Sequence, residues 1–105
     1  MNPTFEFKGA SVELTSKTIE ITRPNSLLIP KHMRGITSII YREISKVDFK
    51  LPSTASKGFI QFTTTHGGLR GSLRANDQRE NSIEFKKNDI DKALALKSAV
   101  LDRLP

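Results

Sequence analysis

The densest group of potentially reactive side chains lies in LLIPKHMRGI, residues 27–36, where Lys31, His32 and Arg34 stand close together. Backbone amides and two or three cations in one loop can hold a phosphate or an acidic peptide, and arginine adds a bidentate grip that lysine lacks. Arg23 before the segment and Arg42 after it fall near the ends of neighbouring expected strands. Arg23, Lys31, Arg34 and Arg42 therefore form one candidate set of anion contacts. Leu27, Leu28, Ile29 and Met33 give the same segment a second use. Apolar side chains grouped in a loop either fold back over the core or form a contact surface. These four, together with Phe59, are the candidate partner surface.

Other chemistry finds less support. His32 and His66 are the only histidines, far apart in the chain and without an acid at ligand spacing, whereas a zinc site takes about four donors. HGGLRGSLR, from His66 to Arg74, has the glycines of a phosphate loop. It lacks the Gly-Lys-Ser/Thr ending and a following helix, so it reads as a hairpin turn. The many serines and threonines have neither a nucleophile elbow nor a recognisable base. Cysteine is absent, which removes disulfides, thiolate ligands and thiol catalysis. No catalytic, cofactor-binding or metal-ligating residue is expected, and the chain does not read as an enzyme.

The elements that must position these groups follow from size and period. The 105 residues suit one domain, with a thin core because only 36% of them are hydrophobic. The net charge of +6 and pI near 9.9 favour acidic or phosphate-rich partners if the cations gather on one face. No apolar run approaches the length of a membrane span, and MNPTFEFKGA does not open like a secretory leader. A soluble cytoplasmic protein without an integral membrane segment is expected.

Period two dominates the first eighty-odd residues. TFEFK reads as an edge strand, and SVELTSKTIEIT as a hairpin turning at Thr15, Ser16 and Lys17. ITSIIY has the β-branched character of a strand. KVDFKL points Val47, Phe49 and Leu51 inward, and REIS is a tight connection that tucks Ile44 into the core. Pro52 closes that strand. In GFIQFTTT, Ile60, Phe62 and Thr64 share one face while Phe59, Gln61 and Thr63 share the other. A weak strand from Leu69 to Leu73 and then SIEF follow. The period changes in NDIDKALALKSAVLDRL, where Ile90, Ala93, Leu94, Val100, Leu101 and Leu104 recur at helical spacing, with Asn88 as N-cap. Lys97 falls near the middle of that apolar arc, so it must snorkel, find a carboxylate, or mark a rim. Apart from Phe59 and Tyr41, the aromatics read as buried.

About seven antiparallel strands and then one amphipathic helix make an α+β roll, a bent sheet or partly open barrel capped by the helix. GASVELTSKTIEITR, REISKVDFK, GFIQF, NSIEF and ALALKSAVLDRL, in that order from Gly9 to Leu104, resemble the pleckstrin-homology-like domains of bacterial proteins of unknown function. The resemblance implies a seven-stranded bent sheet with a C-terminal capping helix. It also implies self-association through the domain's own surfaces. Members often precede a short C-terminal oligomerisation (SHOCT) module, which is not expected here because the sequence stops at Pro105. The phosphoinositide-binding branch carries spaced lysines and arginines between its first two strands. The matching connection here, Leu14 to Thr18, offers Lys17 alone.

The expectation is a non-catalytic protein-interaction or scaffolding domain that binds copies of itself or another protein. The alternative is binding of an anionic lipid headgroup or nucleic acid through the basic loop, with no cofactor in either case.

Overall fold

The structure, a computed structural model, describes residues 2–24, 35–65 and 81–105. Strands β1 (Thr4–Phe7), β2 (Ala10–Leu14), β3 (Thr18–Arg23) and β4 (Gly35–Ile40) form one antiparallel sheet in chain order. Strands β5 (Ile44–Lys50), β6 (Gly58–Thr64) and β7 (Ser82–Phe85) form a second antiparallel sheet, also in chain order. A short 3₁₀ turn, Lys87–Asp89, leads into helix α1 (Ile90–Leu101). The protein is thus an α+β domain of a four-stranded sheet, a three-stranded sheet and one C-terminal helix. Among the described residues no ladder joins the two sheets, and no closed barrel forms. Leu69 to Leu73 lies outside the described residues.

Strand alternation supplies the core. Val12, Leu14, Ile19 and Ile21 from the first sheet, Ile60, Phe62, Ile83 and Phe85 from the second, and Ala93, Leu96 and Val100 from α1 form a single buried cluster. Each large side chain buried there contributes roughly 1.5–3 kcal/mol of transfer free energy. Because the inner faces share this cluster, the outer faces of the two sheets point away from each other.

Local chemistry fixes the connections. Between β2 and β3, the Thr15 hydroxyl accepts the backbone N–H groups of Lys17 at 3.2 Å and Thr18 at 2.9 Å, closing the expected turn. Between the sheets, a 3₁₀ turn of Tyr41–Glu43 takes the first half of the expected REIS connection, and Ile44 and Ser45 already belong to β5. Tyr41 is buried, donating its hydroxyl to the Thr15 carbonyl at 2.9 Å and its N–H to the Lys17 carbonyl at 3.1 Å. That burial corrects its expected exposure. Burial pushes the Tyr41 phenol above its ordinary value of 10.0, and the Arg103 guanidinium offsets part of the rise.

Ile44 and Val47 differ by an odd number of positions, yet both pack against the core. A register shift between Ile44 and Lys46 makes this possible, an extra residue reversing the alternation locally. Leu51 departs from the expected inward position and is 57% exposed. The ladder ends at the pairing of Lys50 with Phe59, and Pro52 cannot extend it. The returning strand β6 passes so close that a Cβ on Gly58 would lie 2.5 Å from the Lys50 carbonyl oxygen. Only glycine fits there. Phe85 pairs with Gly58, which puts no side chain in the way, and the Phe85 and Phe49 ring centroids stand 5.4 Å apart.

The helix is rotated from the sequence expectation. Its buried stripe is Ala93, Leu96 and Val100, while Leu94 and Leu101 are exposed. At about 100° per residue this is a turn of roughly 60° about the helix axis. Lys97 consequently moves to the rim, where its ammonium sits 5.3 Å from the Phe49 ring centroid. Lys92 sits 5.6 Å from the Phe7 centroid and donates to the Glu6 carbonyl. The helix therefore touches the edge strand of each sheet, β1 and β5. Asn88 is not its N-cap. It lies inside the 3₁₀ turn, and Asp89 takes the cap position without a side-chain cap bond.

Candidate functional site

Of the residues singled out in the sequence, Leu27, Leu28, Ile29, Lys31, His32, Met33, Arg34 and His66 lie outside the described residues. The other candidate cations, Arg23 and Arg42, are not brought together. Arg23 ends β3 opposite Gly35, whereas Arg42 follows Ile40, which lies opposite Thr18. Five residue steps of about 3.4 Å separate those ends of the ladder. Arg42 is exposed. Arg23 is only 6% exposed, and its guanidinium donates to the Ser82 carbonyl on β7. It ties one sheet to the other, a structural use of the charge.

Two sheet surfaces remain. The outer face of the first sheet carries two cross-strand rows. One is Thr4, Glu13, Glu20 and Ser38; the other is Glu6, Ser11, Thr22 and Ile36. Among the described strand positions facing outward here there is no lysine or arginine. Glu13 and Glu20 stand directly opposite each other, an arrangement that opposes sheet formation by up to about 1 kcal/mol. Neutral donors hold the carboxylates. Glu20 accepts hydroxyl bonds from Ser38 and Thr18, both at 2.7 Å, Glu13 accepts from the Asn2 amide at 2.9 Å, and Glu6 accepts from Ser11 at 2.9 Å. Along β4, Ile36 and Ile40 project outward beside these acids, 68% and 38% exposed.

The outer face of the second sheet is built differently. Phe59, half-buried, lies between Lys50 and Glu84 in one cross-strand row. Lys57 and Lys86 flank the Gly58–Phe85 pair that ends the β6–β7 ladder, and both are exposed. Asp48, Gln61 and Ser82 make the next row, with Asp48 paired to Lys46 at 3.6 Å. Phe59 thus stands at the centre of a lysine-rich end of the sheet, on the face its sequence position implied.

Ile36 and Ile40 do not stand out in the sequence as contact residues, because apolar residues fall on both faces of ITSIIY and period two cannot tell the faces apart. Nor does the sequence show Lys50, Lys57 and Lys86 as one group, because they come from the three strands of the second sheet or their ends and meet only through strand pairing. Among the described residues no group of histidine, cysteine or acidic side chains is placed to hold a metal ion. No helix among them is long and apolar enough to cross a membrane. Compared with protein-family models, curated proteins and solved structures, the chain matches none.

Proposed function

We propose that this chain is a non-catalytic interaction domain of the pleckstrin-homology-like type, acting as a scaffold through association with copies of itself or with another protein. What supports the fold assignment is order. Four meandering strands, three more in a second sheet, and a C-terminal helix against both edges follow the sequence that such domains have. The single observation that carries the interaction reading is the outward pair Ile36 and Ile40 on β4. Apolar side chains on a sheet's solvent side, here on either side of Ser38 along one strand, gain from being covered by a partner. Light scattering coupled to size exclusion tests the reading. The apparent mass rises with concentration, and Ile36→Ser with Ile40→Ser lowers it. A strict monomer at every concentration, with no protein retained on the immobilised domain, overturns the reading.

A second reading draws on Lys50, Lys57 and Lys86, for which no described carboxylate forms an ion pair. Three cations around an aromatic ring suit an anionic lipid headgroup or nucleic acid. Retention on anionic vesicles or single-stranded DNA that falls steeply with salt would favour it.

A further inference from the structure

The two outer faces complement each other in both charge and apolar content. One carries Glu6, Glu13 and Glu20 beside exposed Ile36 and Ile40. The other carries Lys50, Lys57 and Lys86 around Phe59, outnumbering Glu84, which shares the Phe59 row. We propose that the outer face of the β1–β4 sheet of one copy docks on the lysine-rich end of the β5–β7 sheet of a second copy. The inference rests on the self-associating form of the interaction reading and names the surfaces that would meet.

Three observations favour a second copy as the occupant. The acidic face needs a cationic partner, and this chain, at +6 overall, presents one on its own opposite side. Each face also offers apolar side chains to the other, Ile36 and Ile40 against the half-buried Phe59, so burial accompanies the charge pairing. Finally, Glu13 and Glu20 oppose each other at some expense to the isolated sheet. Lysines approaching from another copy relieve that repulsion, so docking gains what folding gives up. Unlike faces meeting in this way leave one of each kind unfilled at the ends. Growth then continues until a ring closes or a filament forms.

Charge exchange tests the docking. Glu13→Lys with Glu20→Lys makes both outer faces cationic, and Lys57→Glu with Lys86→Glu makes both acidic. Each variant alone is expected to associate about tenfold or more weakly than the original chain. Mixing the two restores association, because every contact again joins opposite signs. Rescue on mixing also shows that both variants are folded. Should either reversal fail to fold, the milder Glu13→Gln with Glu20→Gln weakens association and makes what remains less sensitive to salt. Association that withstands reversal or neutralisation, or variants that stay apart when mixed, overturns the face-to-face docking while self-association itself stands. A monomeric chain that captures a different protein overturns the docking and leaves the broader interaction reading intact. A monomer that captures nothing overturns both.

Discussion

The outer faces of the two sheets obey the same alternation and still end in opposite states. On the first sheet, every acid in the two cross-strand rows is fixed by a neighbour's hydroxyl or amide, so short neutral donors orient the charges without cancelling them. On the second, Lys46 and Asp48 offset each other, but Lys50, Lys57 and Lys86 extend into solvent around Phe59. A fixed acidic surface and a flexible basic one have different energetic consequences. The first carries its repulsion in the folded state; the second gives up side-chain entropy only when its lysines are held by something else.

The largest effect on this contrast is expected at the tie between the sheets. Arg23→Ala removes a buried guanidinium and leaves the Ser82 carbonyl without that donor, costing about 2–3 kcal/mol by urea unfolding. If the sheets depend on each other, amide exchange quickens in both. Quickening confined to β7 would mean that the two faces are supported separately.

A smaller effect is expected at the corner joining the sheets. Tyr41→Phe removes the bond to the Thr15 carbonyl and costs about 1 kcal/mol at neutral pH. The sign of the pH dependence follows from the raised value. The folded state favours the neutral phenol, so this contribution is complete below 10.0 and is lost as pH rises through the elevated folded value. Tyr41 is the only tyrosine, so tyrosinate absorbance reports it directly. A midpoint at or below the ordinary value would contradict its burial.

The smallest effect has the opposite sign. Glu13→Thr relieves the facing carboxylates and is expected to stabilise the fold by a few tenths of a kcal/mol, less as salt rises. The same change should weaken the proposed docking. A variant less stable than the original at low salt would show that the Asn2 bond outweighs the repulsion, and the contrast between the faces would lose its energetic basis.

Much of the fold could be read from short-range pattern. TFEF, SVEL, TIEIT and SIEF alternate cleanly, and Thr15 announces its turn through a hydroxyl that reaches only two or three residues ahead. Errors arose where a distant element decided the outcome. Period alone gave α1 an apolar arc centred near Lys97. The cleft between the sheets instead accepted Leu96 with the smaller Ala93 and Val100, and turned Leu94 and Leu101 outward. Arg23 suits an anion contact by type and position, and nothing in the sequence near it indicates the Ser82 carbonyl, 59 residues away, to which it donates. Leu51 matched the inward parity of β5, but the ladder had already ended.

The sequence by itself determined where strands and helix form, which turns are tight, and that the chain carries a large excess of cations. Those properties depend on backbone sterics, side-chain period and composition, all of them local or additive. Only the tertiary structure decided how the charge is divided. Strand pairing set Glu13 against Glu20 and brought Lys50 and Lys86 from other strands to the face where Lys57 and Phe59 stand two residues apart. The physical reason is register: a sheet makes neighbours of residues far apart in the chain, and the sign of a face appears only once those neighbours are fixed.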